Sequence, residues 1–252
     1  VFVEERQEKI IELLNQNFKV RVKELSEAFA VTEDCIRKDL AVLERRGLLK
    51  RTYGGAVPLK LKSSFSPASE KNGGRSGRLA MARKAASLVQ DGDMVFLDIA
   101  TANVELARLF ATFEKRITVV TNMIDVLNLL RQSPHIQIIF TGGILARKER
   151  GFFDSMARSV IARLKIDLAF LGAAGINIAE KSIFSDDIED GINKAAIIKA
   201  SRRAFVMAEK AKFDRDGSYS YAVFGGVDGF IIDESLAESQ KSELKKMGLE
   251  II

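Results

Sequence analysis

The sequence predicts an α/β chain in two parts: a small helical unit ending in a basic hairpin, then a larger domain built on a mostly parallel sheet. Three observations carry this. Apolar residues recur at helical spacing from Ile10 to Leu43 and give way to a Gly-Gly turn at 54–55. Beyond residue 75, short β-branched runs alternate with helical stretches. Between the two lies PLKLKSSFSPASEKNGGRSGR, which holds two of the three prolines, so residues 58–74 read as a connection.

The first helix is marked by Ile10, Ile11, Leu13 and Leu14, and the second by Val22, Leu25 and Phe29. Phe29-Ala-Val-Thr32 is a tight link into a third. There Ile36, Leu40 and Leu43 fall at i, i+4 and i+7, one stripe of a helix. Thr32 suits the N-cap, and Glu33 and Asp34 suit the positive end of the dipole. Gly47 is expected to stop the helix. Arg37, Lys38, Ala41 and Arg45 lie off the stripe and are free to meet a partner. Leu48–Thr52 then reads as a strand and Gly54-Gly55 as its turn.

Helix, short turn, and a helix with a cationic first turn form the helix-turn-helix pattern, whose second helix enters the major groove of double-stranded DNA. The added basic hairpin makes residues 1–57 a winged helix-turn-helix. Candidate DNA contacts are Thr32, Cys35, Arg37, Lys38 and Arg45 on the helix, with Lys50, Arg51, Tyr53 and Gly54 on the wing. The competing reading is a small helical subdomain with a solvated basic face. Charge distribution favours DNA. The net charge is +5, but residues 36–84 alone hold 13 Lys and Arg against three acids. Cation is therefore concentrated in and after the reading helix, where phosphate neutralisation needs it.

In residues 75–252, helices are expected at 79–89, 104–113, 124–131, 156–164 and 188–203. Strands are expected at 94–98, 117–121, 136–140, 167–171, 205–207, 229–232 and 249–252. This alternation implies a Rossmann-like sheet covered on both faces. Ligands bind such sheets beyond the carboxyl ends of the strands. Those ends read Asp98-Ile-Ala-Thr101-Ala102-Asn103, Thr121-Asn122, Thr141-Gly142-Gly143, Gly172-Ala-Ala-Gly175 and Glu209-Lys-Ala-Lys212. All are polar or glycine-rich. Loops that open helices offer unpaired N–H groups to an anion, and a Gly-Gly lets backbone approach it closely.

Little points to catalysis. His135 is the sole histidine and follows Pro134 just before a strand. Nucleophile-elbow, P-loop and His/Cys metal-ligand spacings are absent, so no catalytic residue, metal or cofactor is expected. Asp186, Asp187, Glu189 and Asp190 precede a helix, where Asp186 with Glu189 resembles a capping box. Cys35 is the only cysteine, which rules out an intrachain disulfide and fits a reducing compartment. No apolar run approaches the ~20 residues of a membrane span. The start, VFVEERQEK, has acids where a signal peptide has cations, so a cytoplasmic location is expected.

VTEDCIRKDLAVLERRGLLKRTYGGAV closely resembles the signature of the DeoR family of bacterial sugar-metabolism repressors, V-S-x-x-T-I-R-R-D-L followed by L-x-x-x-G-x-L-x-R-x-H-G-G-A. GDMVFLDIAT, ITVVTN, IIFTGG, DLAFLGAAGI and AEKAKF are similar to the family's successive sensor segments, so the resemblance spans nearly the whole chain. It implies a sensor domain similar in fold to ribose-5-phosphate isomerase and the CoA transferases. It also implies a phosphorylated sugar metabolite as effector, and a homodimer or homotetramer. The effector residues are then Asp98, Thr101, Ala102, Asn103, Thr121, Asn122, Gly142, Gly143, Gly172, Lys194, Glu209 and Lys212. Departures from the pattern are local. Asp98-Ile-Ala-Thr-Ala102 stands where the family has D-S-G-T-T, and Ala208-Glu-Lys-Ala-Lys-Phe213 where it often has A-D-x-S-K-F. Cys35, Lys38 and Tyr53 stand where it usually has threonine, arginine and histidine. Two alternatives stay open: an isomerase- or deaminase-like enzyme with a DNA-binding appendage, and a regulator whose sensor serves only assembly.

Overall fold

The structure, a computed structural model, describes residues 3–17, 20–46, 48–58, 74–146, 151–213, 215–233 and 236–252. The chain divides into two compact units, Val1–Ser63 and Ser64–Ile252.

The first unit runs α1 (Val3–Asn17), β1 (Val20–Arg21), α2 (Val22–Phe29), α3 (Glu33–Arg45), β2 (Leu49–Thr52) and β3 (Gly55–Pro58). Ala30 ends α2 in the left-handed region at φ 52°. Two residues on, the Thr32 hydroxyl accepts the Cys35 N–H and starts α3. The expected stripe is the core: Ile36, Leu40 and Leu43 are buried with Ile10, Leu14, Val22, Leu25 and Leu49. Helix α3 ends at Arg45 with Arg46 as its cap, and Gly47, expected to stop it, lies outside the described residues. The hairpin of β2 and β3 gains β1 as a third strand, in the order β1-β3-β2. Glycine is required at 55, because a Cβ there would lie 2.0 Å from the Val20 carbonyl oxygen across the β1–β3 pairing.

The expected connection at 58–74 falls, from 59 to 73, outside the described residues. The second unit then runs α4 (Gly74–Leu88), β4 (Met94–Leu97), α5 (Thr101–Phe110), β5 (Ile117–Thr121), α6 (Ile124–Leu130), β6 (Ile136–Phe140), β7 (Leu145–Ala146), β8 (Gly151–Phe152) and α7 (Ser155–Ile161). It continues with β9 (Ile166–Gly172), β10 (Gly175–Asn177), β11 (Ser182–Ser185), α8 (Ile188–Ala200), β12 (Ser201–Ala208), β13 (Tyr219–Val223), β14 (Gly229–Ile232), α9 (Glu238–Lys246) and β15 (Glu250–Ile251).

The main sheet is seven-stranded and parallel throughout, in the order β15-β14-β12-β9-β4-β5-β6. Chain order reverses between β4 and β9, so a crevice opens beyond the ends of these two strands. Successive side chains on a strand face opposite ways. Val95 and Leu97 therefore join one apolar layer under α4, α5 and α6, while Phe96 joins the other with Leu171, Ile197 and Phe230.

Several expectations need correction. The helix read as 188–203 stops at Ala200, because Ser201 is already extended (φ −105°, ψ 145°) and pairs with Ile166 as the start of β12. Helix α5 begins at Thr101 rather than Val104, and α4 at Gly74 rather than Leu79. A second antiparallel sheet, β10-β11-β13, and the helix α9 were not anticipated. Glu238–Lys246 contributes only Leu244 to the core, so it carries almost no apolar period.

Candidate functional site

In the first unit, the off-stripe face of α3 and the wing carry the cations, but these fall into two sets. Arg37 is held by its own helix: Nη1 donates to Asp34 Oδ1 at 2.8 Å and Nη2 to Glu33 Oε2 at 2.5 Å. Arg51 is held by Glu44, which accepts its Nε–H at 2.7 Å and its backbone N–H at 2.8 Å. These two bonds, backbone first, hold the Glu44 carboxyl below the usual range. Lys38, Arg45 and Lys50 are exposed, with no ion pair among the described residues, and Tyr53 stands fully exposed next to Gly54 at the wing tip. Thr32 is engaged as the cap. Half-buried Cys35 turns toward α1, its Sγ accepting from Arg6 Nη2 at 3.4 Å.

Beneath this face lies a buried polar cluster that the pattern reading missed. Asp39, 4% exposed, accepts from Arg6 Nε at 2.7 Å and Gln7 Nε2 at 3.1 Å. The hydrogen bond to Asp39 holds the Arg6 guanidinium above its ordinary value, against the opposing effect of burial.

In the second unit, the crevice between the ends of β4 and β9 is polar, and the side chains of Asp98, Asn103 and Lys194 in it are buried. Asp98 is fully buried; its Oδ2 accepts the Gly172 N–H at 3.3 Å and is ion-paired to Lys194. The same ammonium donates to Asp190 Oδ1 at 3.0 Å, and the Ser185 hydroxyl donates to Asp190 Oδ2 at 2.6 Å. Burial opposes the charge on Lys194, but Asp190 and Asp98 together outweigh it and hold the ammonium above the ordinary lysine value. Burial pushes the Asp190 carboxyl up, with Asp98 adding repulsion and Lys194 opposing. One ammonium thus serves two carboxylates. Asn103 Nδ2 donates to the Asp98 and Phe170 carbonyls, 2.8 Å each, and ties the two strand ends together. Thr121 donates to the Leu97 carbonyl at 2.7 Å, and the Tyr221 hydroxyl donates to the Gly172 carbonyl at 2.9 Å.

Other polar atoms here are buried and have no protein partner among the described residues: Asp98 Oδ1, Asn103 Oδ1, Thr141 Oγ1, and both amide atoms of Asn122 and of Asn193. Buried polar atoms are rarely left unpaired, so such a cluster suits a polar ligand. Gly142 and Gly143 take positive φ, 65° and 114°, which favours glycine at both positions. At Gly143 space also decides: a Cβ would sit 2.5 Å from Asp154 Oδ1. Asp154 caps α7 through the Met156 and Ala157 N–H groups and accepts the Ile144 N–H as well.

The remaining candidates are not all part of this group. Ala102 is buried in the apolar layer under α5, as is Ile99. Glu209 is paired with Arg78 at 3.0 Å. Half-buried Lys212 makes no ion pair among the described residues; burial pushes its ammonium below the ordinary lysine value, and Arg215 pushes the same way. Thr101 is half-buried.

The acids at 186–190 act differently from the expected capping box. Asp187 is the cap of α8, accepting the Asp190 N–H at 3.0 Å, while Asp186 faces Arg215 and Glu189 faces Arg158. Asp190, Ser185, Asn193 and Tyr221 were missed as site residues. The one available signal was the i, i+4 spacing of Asp190 and Lys194 on α8.

Comparison with known proteins agrees with this architecture. Residues 6–61 match the DeoR-like helix-turn-helix domain and residues 75–234 the DeoR C terminal sensor domain. The chain is 32% identical over 237 residues to the uncharacterized HTH-type transcriptional regulator YulB of Bacillus subtilis (strain 168), covering 94% of this chain and 91% of that protein. It is 29% identical over 230 residues to the glycerol-3-phosphate regulon repressor of Escherichia coli (strain K12), covering 91% and 90%. Among solved structures, ribose 5-phosphate isomerase A from Methanocaldococcus jannaschii overlaps at a TM-score of 0.42 and 14% identity, covering 55% of this chain and 54% of that one. With both of its units matched in order, this chain belongs to the DeoR family of transcriptional regulators.

Proposed function

We propose that this protein is a cytoplasmic DNA-binding transcriptional repressor of a carbohydrate catabolic operon, that it has no enzymatic activity, and that a phosphorylated sugar metabolite controls it. Residues 1–57 bind operator DNA and residues 75–252 sense the effector and join copies into a homodimer or homotetramer. The observation that carries the DNA reading is the exposed cation set, Lys38, Arg45 and Lys50, on α3 away from its buried stripe and on the wing. Arg37→Ala or Lys38→Ala is expected to weaken operator binding by roughly 1–3 kcal/mol where the lost contact is a bidentate base contact. Circular dichroism should be unchanged, since neither side chain is in the core. Operator affinity equal to wild type in both variants removes α3 as the reading helix.

The effector binds at the β4/β9 crevice. Asp98 Oδ1 and the amides of Asn122 and Asn193 take the sugar hydroxyls, with Lys212, which follows β12 next to β9, as the cation for the phosphate; the backbone at 142–143 follows β6, four strands away from β12, and belongs to the far side of the site. A phosphate dianion restores the proton that burial disfavours on Lys212. Affinity for a sugar phosphate should therefore fall as pH rises from neutrality toward the ordinary lysine value of 10.5. Lys212→Ala should cost about 1.5–3 kcal/mol of binding and abolish that pH dependence. Titration calorimetry with sugar phosphates and their unphosphorylated sugars measures both. A second reading draws on Ile99 and Ala102: these apolar side chains belong to the core where the family pattern has hydroxyls. It predicts an effector less dependent on phosphate, or a sensor serving only assembly. Equal binding of a sugar and its phosphate supports the first of these, and no heat from either supports the second.

A further inference from the structure

We propose that Glu33 and Asp34 determine DNA sequence specificity by positioning Arg37 against a guanine edge. This rests on the reading of α3 as the major-groove helix. It concerns two acids that by themselves repel DNA.

Arg37 is the only cation of α3 gripped by two carboxylates, one on each terminal nitrogen, from the preceding turn of its own helix. A guanidinium has five N–H donors. The two carboxylates use two, which leaves three, enough for the bidentate pair that reads guanine O6 and N7. Both pairs are exposed, and in water such pairs contribute little to stability. In a groove, water is displaced and the same pairs strengthen, because the local dielectric falls. A long side chain that would otherwise lose rotamer freedom on binding is then already placed.

The acids also discriminate. If Arg37 swings to a phosphate, two carboxylates are left unneutralised beside the DNA backbone, and like charges repel. If it stays and reads guanine, the ion pairs persist. Lys38 and Arg45, exposed and with no ion pair among the described residues, meet no such penalty and suit phosphate. Sequence reading and electrostatic anchoring are thereby divided between two sets of side chains.

The test uses the full-length chain. Selection from a randomised duplex library defines the preferred site of the wild type. Affinities are then measured for that site, for the site with each G·C pair replaced by A·T, and for a random-sequence duplex, over a range of salt. Arg37→Ala, the double variant Glu33→Gln with Asp34→Asn, and wild type are compared, with circular dichroism confirming the fold. In wild type, one G·C replacement per half-site should cost about tenfold or more, a discrimination missing from Arg37→Ala. The double variant should bind random DNA more tightly, with a steeper salt dependence, and lose most of the guanine discrimination. A double variant that keeps the full tenfold preference overturns the positioning role while leaving DNA reading intact. Wild type with no preference for any duplex overturns the reading of α3 itself, and the proposal with it.

Discussion

Lys194→Met should destabilise the sensor unit by about 3–5 kcal/mol, the cost of breaking a buried ion pair from one side. Lys194 is 3% exposed and its ammonium is shared by Asp98 and Asp190. Methionine fills much of the same volume, so the loss is electrostatic rather than a cavity. Two carboxylates then remain close together, with the Ser185 hydroxyl on Asp190 and the Gly172 N–H on Asp98 as their remaining donors. Burial already pushes the Asp190 carboxyl up, and without the ammonium only the Ser185 hydroxyl still opposes this. The linkage has a definite sign. A carboxyl with a raised folded-state value binds more protons folded than unfolded, so the variant should gain stability as pH falls from 7 toward the carboxylate range. Urea unfolding at several pH values measures this. The triple variant that adds Asp98→Asn and Asp190→Asn should recover much of the loss at pH 7. A single variant within about 1 kcal/mol of wild type at pH 7 would show that water reaches and screens the group.

The same residues show what the chain discloses in advance and what it conceals. The stripe at Ile36, Leu40 and Leu43 and the strands at 117–121 and 136–140 are legible because burial imposes a period on local sequence, and each is found as expected. A polar crevice was expected at the strand ends, because a parallel sheet leaves its polar loops there. Its membership was legible only in part: Asp98, Asn103, Thr121, Asn122 and Lys194 were among the expected residues, while Asp190, Ser185 and Tyr221 were not. Asp190 and Asn193 lie on a helix far along the chain from Asp98, and only the reversal of strand order between β4 and β9 brings the loops and helices around that crevice together. Asp39 sits in the middle of the reading helix as one more charged residue. Nothing in its neighbours shows that Arg6 comes back to meet it, since that contact is made by α1 packing across 33 residues of chain. Ser201 to Arg203 read as helix because arginine is a good helix former. Pairing with β9 decides it.

Asp39→Ala should unfold the DNA-binding unit and leave the sensor unit folded. Its side chain is the shared acceptor for Arg6 and Gln7 and joins α3 to α1, with all three residues nearly inaccessible. Alanine removes the acceptor that Arg6 and Gln7 share and breaks a buried ion pair from one side, at a cost of about 3–5 kcal/mol. A unit of ~57 residues has a total stability of roughly 3–9 kcal/mol. The loss is therefore comparable with the whole, whereas the same loss in the larger unit would be a smaller share. Calorimetry should show the first unit's transition moved below the working temperature and the second unit's unmoved. Limited proteolysis should cut between residues 1 and 58 and spare 74–252. Operator binding should vanish together with the helical signal of this unit, which separates the effect from Arg37→Ala, where binding falls and the fold stays. Replacing both partners, Arg6→Met with Asp39→Leu, removes both charges of the pair and fills similar volume, so it should restore most of the stability. An Asp39→Ala protein that keeps its first transition and its operator affinity would mean that the Arg6–Asp39 pair is not what holds α1 against α3.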